Sequence, residues 1–208
     1  MSEPGTQAQD LQVLLHDEAG APLLWHWQLE DDRIGTESHA HAVAGPEGAV
    51  LIDPLPLAAA AMRQLEPVQA VCLTAACHQR SAWRWRERCG VAVHLPDGAR
   101  PADEAPDRSY RSGRFLPGGL QAIATPGPDA AHHAFLWHGA RKVLFCGDLL
   151  MRDGDGPLQR VPEAFHDRPE DSRRSLRHLL EQDFDMLCLA HGGPLTEAPK
   201  AALRRLLD

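Results

Sequence analysis

The side chains best suited to chemistry in this sequence are histidines and cysteines that stand close together. His39 and His41 lie two residues apart in an apolar segment, so on a strand they share one face and could bind one ion jointly. Cys77 and His78 are adjacent, so on an extended segment their side chains point to opposite faces. We therefore expect at most one of Cys77 and His78 to face a cleft.

A metal-free nucleophile is a second chemistry open to Cys77. A thiol with a histidine and an aspartate nearby has the elements of a thiol hydrolase. However, the sequence around Cys77 carries no local signature of such an enzyme. A buried, unactivated thiol is also far commoner than a catalytic one. The thiol hydrolase therefore stays an alternative without independent support.

Length and composition are typical of one soluble globular domain. The chain has 208 residues, of which 43% are hydrophobic and 24% charged, and this suffices for one buried core in a single domain over 1–208. A formal charge of -8 disfavours nucleic acid and anionic membrane surfaces as partners. The sequence has neither a basic leader nor a long apolar run, and its five cysteines lack the spacing of a disulfide framework. These features predict a cytoplasmic protein.

The elements that must position these side chains are strands interspersed with helices. Four strands are predicted first, at 12–16, 23–29, 39–43 and 49–52, and an Ala-rich helix follows at 57–65. Further strands are predicted at 68–73, 91–94, 120–125, 133–137, 143–146 and 186–189, with helices at 81–88, 170–182 and 199–207. The segment 96–119 is rich in Pro, Asp and Gly, which predicts a surface loop over a site. This order suits two sheets packed face to face with helices outside.

Five segments carry unusual residues at the ends of predicted strands. In chain order they are HAHAVAGPEGAVLIDPL from His39, LTAACHQRS from Leu73, ATPGPDAAHHAFLW from Ala124, LFCGDLL from Leu144 and LAHGGPL from Leu189. Their order resembles that of the metallo-β-lactamase superfamily: the first segment resembles the family's opening strands and their Asp-Pro turn, the second its metal motif, Thr-His-x-His-x-Asp-His, and the others its later strand ends. The resemblance runs from about residue 38 to the C-terminus. It implies an α/β fold, a four-layer αββα sandwich of two mixed β-sheets flanked by helices.

The same resemblance places residues of this chain on the family's metal-ligand positions. Asp148 and His191 match the family, whereas the changed positions carry Ala75, Cys77, Gln79, Arg80 and Pro128. A two-metal hydrolase surrounds two cations, roughly 4 Å apart, with several imidazoles and carboxylates. Two surviving ligands cannot hold two ions, and an always-protonated arginine opposes a nearby cation. The resemblance therefore implies a divergent member with a degenerate metal-binding motif.

The first functional hypothesis is a metal-free cleft in a divergent hydrolase-like protein or pseudoenzyme. The Arg80 guanidinium would occupy the space of a lost metal and pair with Asp148, because a buried carboxylate needs a counter-charge. Asp148 and Arg80 would then be the catalytic residues. Arg80, His41 and His78 would contact a small-molecule ligand that carries a carboxylate or phosphate. This hypothesis requires no cofactor.

The second hypothesis is a site for one metal ion. Cys77, Asp148 and His191 fall on family ligand positions, and thiolate, carboxylate and imidazole together suit one zinc ion with an open fourth position. This predicts a single-zinc hydrolase of a small ester, thioester, lactone or phosphate. His132 and His133, which follow the changed Thr-Pro-Gly segment, are expected to be structural or exposed.

The third hypothesis is a non-catalytic interaction module. Its partner surface would consist of Trp25, Trp27, Trp83 and Trp85. Trp83 and Trp85 lie two residues apart on a predicted helix, so they face different ways and at least one should be partly exposed. An exposed tryptophan there would suit a homodimer contact.

Overall fold

The first sheet carries most of the strands in the computed structural model, which describes residues 4–101 and 103–207. Its strands are β1 (Gln12–His16), β2 (Pro22–Asp31), β3 (Thr36–Gly45), β4 (Gly48–Ile52), β5 (Val68–Cys72), β6 (Ala92–Pro96) and β7 (Arg108–Tyr110). They lie side by side in chain order. β1 to β4 form an antiparallel meander, whereas β4 to β7 run parallel to one another.

The second sheet is formed by the later part of the chain. The strands of this part of the chain are β8 (Leu120–Ala124), β9 (His133–His138), β10 (Lys142–Phe145), β11 (Leu150–Met151), β12 (Gln159–Arg160) and β13 (Met186–Cys188). The sheet order is β13-β10-β9-β8, with β10 and β13 parallel, while β11 and β12 pair separately. The helices are α1 (Ala59–Met62), α2 (Ala82–Cys89), α3 (Pro169–Glu181) and α4 (Pro199–Arg205). No helix in the described part of the chain has the length and apolar character needed to cross a membrane.

Apolar side chains on the strands alternate between two layers, as the period of two in a strand requires. In β4, Val50 and Ile52 pack between the two sheets, while Leu51 packs on the opposite face with α1 and α2. In β10, Phe145 packs between the sheets and Leu144 packs against α3 and α4. Two facing sheets with helices on both outer faces result. The predicted four-layer αββα arrangement is therefore confirmed.

The predicted helix at 57–65 is shorter than expected. The α-helical part, α1, ends at Met62, and a 3-10 turn, Arg63–Leu65, completes the segment. Glu66 has an extended backbone because it precedes Pro67, and the proline ring disfavours helical geometry in the residue before it. The chain then enters β5 directly.

The prediction of a continuous loop over 96–119 was wrong for its central part. This segment contains β7, which adds a parallel strand to β6 at the edge of the first sheet. Asp107 fixes the strand start, because its carboxylate accepts a hydrogen bond of 2.9 Å from the Val93 N–H. Tyr110, at the end of β7, is buried and its hydroxyl donates a 2.6 Å hydrogen bond to the Leu73 carbonyl. A three-residue strand lacks enough alternation to be recognised by sequence pattern.

The hydroxyl of Tyr110 should contribute measurably to stability. Tyr110→Phe keeps the ring against Phe135 but leaves the buried Leu73 carbonyl without this donor. We expect the free energy of unfolding to fall by about 1 to 2 kcal/mol. Urea denaturation of the two proteins measures this difference. An unchanged midpoint and slope would mean that the Leu73 carbonyl finds another donor.

The four tryptophans of the interaction-module hypothesis do not form one exposed surface. Trp27 and Trp85 are buried, and the Trp27 indole donates a 3.2 Å hydrogen bond to the Leu55 carbonyl. Trp25 and Trp83 are partly buried and pack against the same apolar layer as α1 and α2. The expectation that one of Trp83 and Trp85 is partly exposed is thus confirmed for Trp83. The larger tryptophan surface of the interaction-module hypothesis was wrong, because two of its four members are core residues.

Candidate functional site

The candidate site lies where four strands of the two sheets end. Asp53 follows β4, the 3-10 turn Ala76–Gln79 follows β5, Asp148 follows β10, and His191 follows β13. β4 and β5 are parallel neighbours, as are β10 and β13, so the carboxyl ends within each pair meet at one edge of their sheet. Contacts between the two pairs across this edge form the site. The fold thereby brings together side chains that are far apart in sequence.

Cys77, His78 and Asp148 form a compact group of metal-ligand types. Within the described residues, one donor atom from each of these three side chains can be chosen so that all lie within 4.8 Å of one another. The Cys77 thiol donates to Asp148 Oδ2 at 3.4 Å, and His78 Nε2 lies 3.0 Å from Asp148 Oδ1. Thiolate, imidazole and carboxylate are the three ligand types that zinc takes from proteins. The group is therefore chemically suited to one such ion.

The expectation that only one of Cys77 and His78 faces the cleft was wrong. It assumed an extended segment, whereas residues 76–79 form a 3-10 turn. Successive side chains of such a turn are about 120° apart rather than opposite. Both Cys77 and His78 consequently reach the Asp148 carboxylate.

His78 bridges two carboxylates. Its Nδ1 lies 2.9 Å from Asp53 Oδ2, while its Nε2 contacts Asp148. Burial would lower the pKa of His78, but the Asp148 and Asp53 carboxylates outweigh that effect and raise it to about 9. Burial likewise would raise the pKa of Asp148, yet His78 and His191 hold it well below its ordinary value. In the absence of a metal ion, the His78 imidazolium supplies the positive charge of the site.

Cys77 is not activated as a nucleophile by these surroundings. Its side chain reaches the surface. Even so, the loss of solvent around the sulfur and the neighbouring Asp148 carboxylate raise the pKa of the Cys77 thiol well above its ordinary value. A protonated thiol is a poor nucleophile, whereas a bound cation favours the thiolate. The arrangement thus disfavours the metal-free thiol hydrolase.

His191 lies beside the group rather than within it. Its Nε2 is 3.4 Å from Asp148 Oδ1, and its Nδ1 is 3.0 Å from the Glu37 carbonyl oxygen. Because a carbonyl oxygen only accepts, Nδ1 carries the hydrogen of the contact with Glu37. The structure brings all three predicted ligands, Cys77, Asp148 and His191, to one edge, with Asp148 between the other two.

The predicted ion pair between Arg80 and Asp148 is not formed. Arg80 is buried, but its NH1 group donates to the main-chain carbonyls of His39, at 2.9 Å, and Asp53, at 3.1 Å. Asp148 is instead paired with His78 and His191. Arg80 follows the 3-10 turn with a φ of 38°, in the left-handed region. The sequence-based pairing with Asp148 did not take this change of backbone direction into account. The Arg80 guanidinium links β3 to the residue that follows β4, beside the site.

His41 was predicted as a substrate-facing residue, and the structure places it in the interior instead. It is buried between the sheets, where its ring packs edge-on against Phe145. His39 lies on the same face of β3 and contacts His26 of β2, with 2.8 Å between His26 Nε2 and His39 Nδ1. His26, His39 and His41 form a buried histidine cluster. The strand spacing correctly predicted a shared face for His39 and His41.

Three residues that position the site were not identified from the sequence. Asp53 accepts hydrogen bonds from the Thr74 N–H, at 2.8 Å, and the Thr74 hydroxyl, at 2.6 Å, besides its contact with His78. Asp53 has a φ of 48°, so its carboxylate turns back toward the end of β5. His132, predicted to be structural or exposed, is fully buried and its Nε2 accepts a 3.1 Å hydrogen bond from the Asp148 N–H. The Asp-Pro turn at Asp53 was the only available signal.

Facing sheets with ligand-type side chains clustered at one edge define the αββα class of metallohydrolase-like folds. The family model of the metallo-beta-lactamase superfamily matches residues 78–191, which is more than half of the chain. The chain therefore belongs to the metallo-beta-lactamase superfamily. The curated proteins compared with it gave no match.

Solved structures share the whole fold at low sequence identity. The DIM-1 metallo-beta-lactamase is 13% identical, with a TM-score of 0.72 over 97% of this chain and 98% of its own. A metallo-beta-lactamase from Pontibacter korlensis is 19% identical, with a TM-score of 0.70 over 95% and 99% of the two chains. A third protein, TTHA1623 in a di-iron-bound form, is 25% identical, with a TM-score of 0.62 over 82% and 93%. These similarities support the architecture and leave the chemistry to the residues of this chain.

Proposed function

We propose that this chain binds one zinc-like divalent ion through Cys77, His78 and Asp148. The observation that carries the proposal is the convergence of their donor atoms within 4.8 Å of one another. Ligand atoms around a tetrahedral zinc ion are separated by roughly 3.3 to 3.7 Å. The 3.0 Å contact of His78 with Asp148, and the 3.4 Å contact of Cys77 with Asp148, are close to that range.

The surroundings of His78 suit a metal ligand. A histidine ligand usually donates its second N–H to a carboxylate or carbonyl, which fixes the tautomer and the ring orientation. Asp53 lies 2.9 Å from His78 Nδ1 in that position, so the Nε2 lone pair is directed toward Cys77 and Asp148. His191 Nε2, on the other side of Asp148, is available as a further donor.

One ion is favoured over two by side-chain chemistry. Ala75 and Pro128 stand at family ligand positions and carry no donor atom. Gln79 stands at another, and its amide contacts the 103–104 segment: Nε2 donates to the Glu104 carbonyl, and Oε1 accepts from the Asp103 N–H. The donors that remain are suited to a single ion.

The proposed activity is hydrolysis of a small ester, thioester, lactone or phosphate. A bound ion of this type supplies Lewis acidity and a water of lowered pKa. The chain contributes Asp53 and Thr74, which hold His78, and His132, which holds the Asp148 backbone through its N–H. Arg80 keeps the strand ends around them in place.

The test is elemental analysis of protein purified without a metal-binding tag, with zinc and iron both measured. We expect about one ion per chain in the native protein and loss of that ion in Cys77→Ala, His78→Ala and Asp148→Ala. Cys89→Ala and His16→Ala, which change the same residue types outside the site, serve as matched controls and should retain it. His191→Ala decides whether His191 is a ligand. A native protein without stoichiometric metal, even after reconstitution with zinc, would refute the proposal.

A metal-free binding cleft is the second candidate. The observation that favours it is the bridge from Asp53 through His78 to Asp148, in which one imidazolium contacts both carboxylates and offsets part of their negative charge without an ion. Arg80 adds a further buried positive charge beneath this bridge. Such a cleft would bind a small anionic ligand in a pseudoenzyme. Absence of metal from the native protein, together with saturable binding of an anionic ligand that His78→Ala abolishes, would favour this candidate.

A further inference from the structure

A serine and a histidine outside the metal-type group are arranged as a nucleophile and its base. His166 lies between the 3-10 turn Glu163–Phe165 and α3, and Ser172 lies in the first part of α3. The Ser172 Oγ is 2.7 Å from His166 Nδ1, and His166 Nε2 is 3.2 Å from the main-chain oxygen of Asp148. The pair therefore adjoins the turn that carries Asp148 but does not use its carboxylate.

The contacts of His166 determine which way its hydrogen bonds run. A carbonyl oxygen only accepts, so Nε2 carries the hydrogen that bonds to the Asp148 oxygen. In the neutral ring Nδ1 then has a free lone pair, and the Ser172 hydroxyl must donate to it. A hydroxyl that donates to an imidazole, which a third group orients, is the arrangement of an activated serine nucleophile.

Ser172 and His166 also line a cavity of about 340 Å³. The cavity wall includes the apolar residues Leu149, Val161, Leu176 and Leu206. On another side Ser172 is closed off by Gly127, because a Cβ at Gly127 would lie 2.0 Å from the Ser172 Oγ. Ser172 is otherwise buried, with only 5% of its surface exposed. A small acyl group would therefore have to approach the hydroxyl through this cavity.

Arg160 and Arg173 place guanidinium groups in the wall of the same cavity, and the Glu163 carboxylate, which pairs with both, lies there too. Arg173 is held by Glu163, at 2.7 Å, and Glu170, at 3.2 Å. A positive charge near an attacked carbonyl stabilises the negative charge that develops on its oxygen. The apolar wall and the small volume suit a short acyl chain.

We propose that Ser172 and His166 form a second reactive centre, which hydrolyses short-chain carboxylic esters without the metal ion. Ser172 Oγ bonds to the acyl carbon as the ester C–O bond breaks, and the hydroxyl proton passes through His166 Nδ1 to the leaving alcohol. Water then attacks the acyl-serine, which releases the carboxylic acid and restores the Ser172 hydroxyl with the help of His166. The net reaction consumes one ester and one water and yields one acid and one alcohol.

The test is covalent labelling of the full chain with a fluorophosphonate reagent. The reagent loses fluoride when a serine oxygen bonds to phosphorus, and His166 would take up the hydroxyl proton. We expect one adduct per chain by intact-mass measurement, and peptide mapping should locate it at Ser172. Labelling should persist with a chelator present, so that its outcome is independent of the proposed metal site.

Variants separate a reactive role from a structural one. Ser172→Ala should abolish the adduct, and His166→Gln should slow labelling at least about 100-fold, the lower range for loss of a general base. Ser175→Ala is the matched control, because Ser175 lies one turn later on α3 and its hydroxyl donates to the Pro126 carbonyl at 2.7 Å. Ser175→Ala should be labelled at the native rate, and it should also hydrolyse p-nitrophenyl butyrate at the native rate. No adduct on the native chain, or an adduct on another residue, would overturn the proposal.

Discussion

Replacing Asp53 by asparagine is expected to lower the zinc affinity of this chain about 10- to 100-fold, the usual effect of removing a carboxylate that orients a histidine ligand. Asp53 Oδ2 accepts from the Thr74 hydroxyl and contacts His78 Nδ1. An asparagine amide in that place presents hydrogen atoms to one of these groups, so His78 loses its orientation. Titration of the metal-free protein with zinc against a competing chelator measures the affinity.

The same substitution should also destabilise the protein. Removing one partner of a buried charged pair costs about 3 to 5 kcal/mol when the remaining charge is left uncompensated. His78 keeps Asp148 as a partner, so we expect a smaller loss of about 1 to 3 kcal/mol. Asp31→Asn is the matched control: Asp31 is a buried carboxylate at the end of β2 that pairs with Arg33 and accepts from the Ser38 hydroxyl at 3.0 Å. It should reduce stability but leave zinc affinity unchanged. Equal affinity losses in the two variants would mean that Asp53 acts through global stability alone.

Much of the fold was predictable because most of its strands are apolar runs that end at residues typical of turns. β4, β5, β9 and β10 are runs of apolar residues bounded by Gly, Pro or Asp, and each was placed within a few residues of its observed bounds. β7 was missed because three residues carry too little pattern. Its position depends on Asp107 and Tyr110, whose partners, Val93 and Leu73, belong to other strands.

The site was only partly predictable, because its geometry depends on local backbone shape. Cys77 and Asp148 were correctly brought to one edge by the order of the strands. The 3-10 turn at residues 76–79 then turned His78 toward the same carboxylate, which an extended segment would have prevented. The left-handed backbone at Arg80 had the opposite effect, since it sent the guanidinium to two carbonyls rather than to Asp148.

Long-range hydrogen bonds account for the residues that sequence reasoning missed. Asp53 and His78 are separated by 25 positions, and His132 and Asp148 by 16. No spacing rule joins such pairs, because helical and strand periodicities relate only near neighbours along one element. Asp53 reaches His78, and His132 reaches Asp148, only when the strands are assembled into the two sheets.

The buried histidine cluster should make this protein sensitive to acid. His26, His39 and His41 lie between the sheets, and one ring nitrogen of each has no hydrogen-bond partner among the described residues. Burial lowers the pKa of His26 to about 4 and of His39 to about 3, and it holds that of His41 well below 6.5. Arg80 opposes protonation of His39 and His41 further. The Glu37 carboxylate lies 3.7 Å from His39 Nε2, at the edge of the cluster.

The sign of the effect follows from where the protons bind. In the unfolded chain these histidines have a pKa of about 6.5, so below that pH the unfolded state takes up protons that the folded state does not. Stability is therefore unaffected by the cluster above pH 6.5 and falls as the pH decreases toward 4. Each histidine should cost about 2 kcal/mol between pH 6.5 and 5, and three together approach the total stability of a typical domain, about 5 to 15 kcal/mol.

Urea denaturation at a series of pH values between 7.5 and 4.5 measures this loss. His41→Phe removes one titrating group and keeps an aromatic ring against Phe145. Below pH 6.5, the slope of its stability against pH should therefore be smaller than the native slope by about 1.4 kcal/mol per pH unit. His138→Gln, at an exposed position at the end of β9, should keep the native slope. A native stability that stays constant down to pH 5 would mean that the cluster accepts protons in the folded state. In that case the Glu37 carboxylate would have to move closer to His39 and supply the counter-charge.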